Sequence, residues 1–173
     1  MNIHTERLLL LPLGPKYLMS THKYASDFDN TKYMIRLPNA DISETKSFLE
    51  RVQEEWQKFN PQFYEFAVLI DSEHIGAVSI YFSKESVAWE IGWIINKKYW
   101  GNGYAEEAAK GIMNFAIQEL EVRKFIAHCD SENISSYRVM EKLGMSLVSK
   151  TQGRRNKSSS EDREELMYLL EIE

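Results

Sequence analysis

Trp89-Glu90-Ile91-Gly92-Trp93-Ile94-Ile95 leads into Tyr99-Trp100-Gly101-Asn102-Gly103-Tyr104-Ala105, and from there into an alanine-rich stretch ending at Leu120. The first segment is apolar, aromatic and β-branched, which predicts a strand. The last places Ala105, Ala108, Ala109, Ile112, Ala116 and Leu120 on one face at helical spacing. Small residues at its start let it lie close against a sheet. Between strand and helix stand two glycines. The first turn of a helix has unpaired N–H donors and partial positive charge, and glycine lets a ligand approach the backbone. This stretch therefore predicts a phosphate-bearing ligand anchored where a strand hands over to a helix. The same punctuation recurs at Asn133-Ile134-Ser135-Ser136, ahead of a second helix that closes at Lys142-Leu143-Gly144.

Two other phosphate loops do not fit. A dinucleotide-binding turn needs Gly-x-Gly-x-x-Gly, and its third glycine position is Glu106 here. That residue argues against a dinucleotide-dependent oxidoreductase. No segment matches the Gly-x-x-x-x-Gly-Lys-Ser/Thr loop of nucleoside triphosphatases.

Trp100-Gly101-Asn102-Gly103-Tyr104-Ala105 resembles the pyrophosphate loop of the GNAT superfamily of acyl-CoA N-acyltransferases. That pattern, Gln/Arg-x-x-Gly-x-Gly/Ala, is met except at Trp100. The run from Tyr99 to Ala108 is similar to the ribosomal-protein-alanine N-acetyltransferase-like branch. Further blocks of that branch are Thr5-Glu6-Arg7-Leu8-Leu9-Leu10, Glu90-Ile91-Gly92, and Asn133-x-x-Ser136 with Glu141-Lys142-Leu143-Gly144. They span nearly the whole chain in order. One departure is Leu11, where the branch often has arginine.

The resemblance implies an α/β (α+β) fold: a mixed, mostly antiparallel central sheet whose central strands splay apart, flanked by helices. It implies acetyl-CoA as cosubstrate and direct attack of a primary amine on the thioester. The acceptor is a protein N-terminal amine in this reading, or a small-molecule amine such as a polyamine, amino acid or antibiotic. A non-catalytic acyl-CoA-binding module is the rival from another class. By the same resemblance, backbone N–H groups of Gly101, Gly103, Tyr104 and Ala105 hold the pyrophosphate, and Trp100 and Asn102 of the same loop count among the cofactor-binding residues. The strand bulges before the loop, and the backbone of Trp93, Ile94 and Ile95 pairs with the pantetheine arm. An N–H near Ile95 faces the thioester oxygen, where a fixed donor contributes roughly 3–4 kcal/mol to acyl transfer. Asn133 binds the pantetheine amide and also caps its helix. Ser136 stands near the sulfur as proton donor or orienter, and inherits the donor role because the tyrosine that many relatives place seven residues after the asparagine is Met140 here.

Glu90 shares a strand face with Gly92 and Ile94, opposite Trp89, Ile91 and Trp93. It either removes the amine proton, directly or through water, or sits in a structural ion pair. Glu106 and Glu107 suit a helix start but would repel a pyrophosphate, so they are expected to point away. Cys129 reads as a small core residue. His4, His22, His74 and His128 lack metal-ligand spacing and read as surface or turn residues, so no metal is expected.

A chain of 173 residues with 43% hydrophobic content suits one domain over 1–173. A net charge of −5 gives no general basic surface, so nucleic acid is not an expected partner. The single cysteine, with no leader-like or membrane-length apolar run, points to a cytoplasmic protein without a membrane partner. Strands are expected at Arg7–Leu13, Tyr64–Ile70, Ile75–Phe82, Val87–Ile95, Phe125–Cys129, Ser146–Thr151 and Glu165–Ile172. Asp71–His74 reads as a turn within an antiparallel meander. Weak helices are expected at Tyr17–Tyr24 and around Asn30–Tyr33. A stronger one, capped by Asp41 with Glu44 in reciprocal position, runs to Asn60-Pro61. The polar segment 153–162 reads as a solvated, mobile loop, and an exposed tail strand could pair across a homodimer.

Overall fold

The computed structural model describes residues 1–173. In chain order the elements are β1 (Ile3–His4), β2 (Leu9–Pro12), α1 (Leu18–Ala25), α2 (Phe28–Thr31), α3 (Ile42–Trp56), β3 (Phe63–Ile70), β4 (Glu73–Ser83), β5 (Ala88–Ile95), α4 (Tyr104–Glu119), β6 (Lys124–Asp130), α5 (Ile134–Lys142), β7 (Ser146–Arg154) and β8 (Arg163–Glu171). The strands form one 8-stranded sheet in the order β1-β2-β3-β4-β5-β6-β8-β7. Every pairing is antiparallel except β5 with β6. No helix is long and apolar enough to cross a membrane.

Alternation along the central strands divides the interior into two layers. On one face Tyr64, Phe66, Val68, Val78, Ile80 and Ile91 pack against Ala108, Ile112, Phe115 and Ala116 of α4. On the other face Ala67, Leu69 and Ala77 meet Leu49 and Val52 of α3. Helix α3 starts as its sequence predicts, with Asp41 Oδ1 accepting from the N–H groups of Ser43 and Glu44 at 2.8 and 3.1 Å. The Glu44 carboxylate reaches the N–H of Ala40 at 2.9 Å, one residue further out than the reciprocal box requires.

The feature that shapes the site is the short life of the parallel contact. β5 and β6 pair only at Trp89↔Phe125 and Glu90↔Ile126. Beyond Glu90 the two strands part. β5 stays on β4 as far as Gly76↔Ile95, and β6 stays on β8 as far as Asp130↔Glu165. The splayed sheet expected from the resemblance is therefore present. The expected bulge is not: the β4–β5 register runs unbroken from Ser83↔Ala88 to Gly76↔Ile95.

Other expectations need correction. The opening strand is shorter than Arg7–Leu13, and β1 precedes it in a hairpin too brief to leave a periodic pattern. His74 belongs to β4, because positive φ angles of 46° and 67° at Asp71 and Ser72 close the hairpin in two residues. The tail strands reach inward to Arg154 and Arg163, so the connection between them is shorter than 153–162.

Gly76 is fixed by the ladder that carries the fork. A Cβ there would lie 2.2 Å from the Ile94 carbonyl oxygen and 2.9 Å from Ile95 Cα, both backbone atoms. We expect Gly76→Ala to destabilise the fold by about 3 kcal/mol, the upper part of the overpacking range. Urea denaturation of the two proteins checks this; equal midpoints would show that β4 and β5 separate freely.

Candidate active site

The loops that follow β5 and β6 both emerge at the C-terminal end of the parallel pair, the edge where open α/β sheets receive ligands. The loop after β5 is folded onto itself. Trp100 Nε1–H donates to the Ile95 carbonyl at 2.7 Å, and Asn102 Nδ2 donates to the carbonyls of Tyr99 and Trp100 at 3.0 and 3.2 Å. Gly101 and Gly103 take φ of 80° and 78°, left-handed conformations that disfavour any side chain. Gly103 then caps α4 with no side-chain acceptor. From Gly101 to Glu106 no backbone N–H has an acceptor within the chain. The side chains of Trp100 and Asn102 thus brace the loop from within, which gives tryptophan a role at the Gln/Arg position.

The N-terminal Thr5-Glu6-Arg7 block secures this loop from outside, a role the sequence did not disclose. Glu107 accepts from Thr5 Oγ1 at 2.6 Å, from the Arg7 N–H at 2.7 Å and from Arg7 Nε at 2.7 Å. Arg7 Nη1 also donates to the Asn102 carbonyl at 3.0 Å, and its guanidinium lies 4.8 Å from the centre of the Tyr104 ring. Burial alone would push the Glu107 carboxyl up, but the Thr5 and Arg7 bonds hold it below the usual range. Glu106 is drawn to Lys110 at 2.6 Å and Lys142 at 3.2 Å, and the Lys110 bond in particular lowers it. Both acids are thus engaged away from the free N–H groups, as expected.

At the fork, the Ile94 carbonyl turns toward Gly76 and the Asn96 N–H donates to Ile75 at 2.8 Å, both on the β4 side. Backbone groups alternate in direction along a strand, so those of Trp93 and Ile95 face away from β4, into the opening. The Ile95 carbonyl is taken there by Trp100 and by Asn30 Nδ2 at 2.7 Å, which leaves the N–H groups. Asn30 also accepts from the Lys97 N–H at 2.9 Å, so α2 is stitched to the end of β5.

Glu90 stands at the last rung before the fork, on the α3 side of the sheet. His128, two residues beyond Ile126 on β6, shares that face, and its Nδ1 lies 2.9 Å from Glu90 Oε1. The Glu90 bond raises the His128 pKa against the opposing effect of burial. Reading His128 as a surface or turn residue was wrong, because a cross-strand partner 38 positions away leaves no local signal. Ser136 and Asn133 belong to α5, whose Tyr137, Val139 and Met140 pack on the α4 side. Asn133 Oδ1 accepts from Ser135 Oγ at 3.0 Å and from the Ser136 N–H at 3.3 Å, so the cap is real and the amide NH2 stays free. Glu90 and Ser136 thus approach the fork from opposite faces, with no hydrogen bond between them. Met140 is fully buried in the core, and Cys129 is buried beside it, its thiol pushed up to about 11 by burial.

Beyond His128 a polar lattice ties β6, β7 and β8 to the segment after α2. Arg154 donates to Glu165 at 2.5 Å, to the Tyr33 carbonyl at 2.8 Å and to Asn156 at 3.0 Å. Asn156 donates to Asp130 at 2.6 Å, and Arg163 grips Asp130 with two bonds of 3.0 Å. The Arg154 side chain is only 7% exposed and Asn156 only 3%. The segment 153–162 is thus pinned at Arg154 and Asn156, while Gly153, Arg155, Lys157 and 159–162 stay exposed to solvent as expected.

Residues 7–146 match the acetyltransferase (GNAT) domain family. The chain is 34% identical over 149 residues to the uncharacterized N-acetyltransferase YnaD of Bacillus subtilis (strain 168), covering 84% of this chain and 82% of that one. A GNAT-family acetyltransferase structure from Bacillus anthracis superposes with a TM-score of 0.83 at 29% identity, covering 99% of this chain and 98% of the other. RimL, a ribosomal α-N-protein acetyltransferase solved with coenzyme A, superposes at 0.84 with 16% identity and the same coverage, a likeness of fold alone.

One buried acid on the Glu90 face has a measurable consequence. Glu65, on β3, receives a hydrogen bond from the hydroxyl of Tyr81, the residue opposite Glu90 on β4. Burial pushes Glu65 up to about 8, with Arg36 opposing weakly. The unfolded chain ionises Glu65 near 4.5, so between that pH and about 8 the folded state holds more protons and stability falls as pH rises. We expect Glu65→Gln to flatten that decline. Denaturation curves at pH 5 and pH 8.5 check it; parallel pH dependence in both proteins would mean that Glu65 is ionised in the fold.

Proposed function

The chain belongs to the GNAT acetyltransferase family, and from that premise we propose that it moves the acetyl group of acetyl-CoA onto a primary amine bound beside Glu90. The observation that carries this reading is the forked sheet. A row of free N–H groups on a left-handed glycine loop lies at one end of an opening whose inner edge presents unpaired strand donors.

In this reading the pyrophosphate sits on the N–H groups of Gly101, Asn102, Gly103, Tyr104 and Ala105, with Trp100 fixing the loop from behind. The pantetheine arm runs along Trp93, Ile94 and Ile95 as a further strand in the opening, bonding the outward groups of Trp93 and Ile95 while those of Ile94 stay turned to β4, and the Asn133 amide NH2 donates to it. The Ile95 N–H points at the thioester oxygen and stabilises the charge that develops there. The amine attacks the carbonyl carbon, the C–N bond forms and the C–S bond breaks. Ser136 Oγ, half-buried and without a partner in the chain, stands as proton donor to the thiolate. The thiolate needs modest help, since an ordinary thiol pKa is about 8.5.

Glu90 faces the amine from the other side of the sheet and, with His128, forms the basic centre. The engaged Glu90–His128 pair favours an enzyme over a non-catalytic acyl-CoA-binding module. The acceptor we favour is the α-amine of a protein N-terminus, in line with the Tyr99–Ala108 run and with RimL, whose fold it shares. A small-molecule amine is the alternative. We place the protein in the cytoplasm, as one domain. β7, which has a neighbour only in β8, is the strand through which a homodimer would form.

The test is release of CoA thiol from acetyl-CoA with peptides bearing N-terminal Ala or Ser, spermidine, free amino acids and aminoglycosides. Stimulation by one class is expected and names the acceptor; absence of CoA binding by calorimetry would overturn the reading. Gly103→Val, forced to adopt φ near 78°, is expected to weaken CoA binding about tenfold, because a left-handed side chain costs roughly 1–2 kcal/mol.

A further inference from the structure

Glu90 and His128 meet at 2.9 Å through Nδ1. An ionised carboxylate has no proton to give, so the bond requires Nδ1 to carry the hydrogen and leaves the lone pair on Nε2. Nε2 makes no hydrogen bond in the chain, and the His128 side chain keeps 23% of its surface exposed. The ring sits where the strands part, on the face that carries Glu90. The charged groups that bear on it are Glu90 from β5, and Glu165 from β8 with its partner Arg154 from β7. Tyr81 stands opposite Glu90 on β4, and Cys129 belongs to the other face. Two carboxylates against one guanidinium favour the imidazolium.

Resting on the acetyl-transfer reading, we propose that His128 Nε2, directly or through one water, is the atom that takes the acceptor's proton. Glu90 is the positioning residue that fixes the ring's tautomer and steadies the imidazolium. The acceptor arrives as an ammonium; its N–H bond breaks, the electron pair stays on nitrogen, and the Nε2–H bond forms. The freed amine attacks the thioester. As the C–S bond breaks, Ser136 Oγ gives its proton to the sulfur and takes a second proton from the tetrahedral nitrogen. The products are the acetamide, the CoA thiol and one proton that His128 returns to water.

The division of labour follows from matching base to acid. A general base works best when its pKa lies near the operating pH and near that of the group it deprotonates. Protein α-amines titrate at about 7.7–8.0 and lysine-type amines at about 10.4. The Glu90 bond raises His128 above its ordinary 6.5, which moves it toward the first class.

The experiment compares kcat against pH for wild type, His128→Gln and Glu90→Gln with saturating substrates. We expect His128→Gln to lose about 100-fold in kcat, within the range for removal of a general base, and to lose the limb near neutral pH. Glu90→Gln should lose less and keep a limb displaced to lower pH. Both should retain the wild-type KM for acetyl-CoA and the wild-type thermal shift with CoA. A larger loss in Glu90→Gln, with the limb preserved in His128→Gln, overturns the assignment. If His128→Gln does not fold, the 15N shifts of the wild-type imidazole decide: a protonated Nδ1 with bare Nε2 supports it, and the reverse tautomer refutes it. Failure of wild type to acetylate any amine would instead refute the acetyl-transfer reading.

Discussion

Everything at this site depends on a parallel pairing that is given up almost as soon as it begins. β5 and β6 share two rungs and then separate, although each keeps its other neighbour to the end. An unpaired backbone edge inside a fold is unfavourable unless something satisfies it. The protein answers half of that demand itself: the outward carbonyl of Ile95 is taken by the indole of Trp100 and the amide of Asn30. The N–H groups of the same edge have no such partner. At Ile95 the fork thus sets a free donor beside a satisfied acceptor, a bias that suits carbonyl and phosphoryl oxygens.

The glycine loop continues that bias, and the chain has to work to keep it. Gly101 and Gly103 create the left-handed turns, yet a loop with this freedom needs external bracing to hold a shape. Arg7 supplies it by bonding at once to Glu107 and to the Asn102 carbonyl. The bracing also settles the fate of two carboxylates that begin α4. On the α3 face, the Arg154–Glu165 and Arg163–Asp130 pairs do a comparable job for the segment after α2, tying Tyr33 to the sheet beside His128.

Much of this was legible in the sequence because the signals were local. The apolar run Tyr64–Ile70, the Asp41 cap and the two glycines before an alanine-rich helix each lie within a few residues. Strand, cap and loop followed from them. The branch-like blocks added the splayed sheet. What could not be read is what depends on register between distant strands. Nothing near His128 announces that Glu90 lies beside it, and nothing near Arg154 announces Tyr33. A run rich in Ser, Lys and Arg reads as solvated until Asn156 is found buried against Asp130. The absent bulge is the converse case: an expectation taken from resemblance gave way to a β4–β5 register without a slip.

The neutralised start of α4 has a consequence for which molecules this surface attracts. Glu107 is matched by Arg7 and Glu106 by both Lys110 and Lys142, so the cradle presents its dipoles beside a surplus of only one positive charge. Dipoles of this kind act within the first helical turn, whereas the net charge of −5 is felt out to about a Debye length, roughly 8 Å in physiological salt. An approaching anion is therefore not drawn in from afar and meets attraction only once it is seated. Such a surface gains selectivity by withholding long-range steering: the bulk polyanions of a cell pass by, and a phosphate is welcomed only when the rest of the molecule already fits.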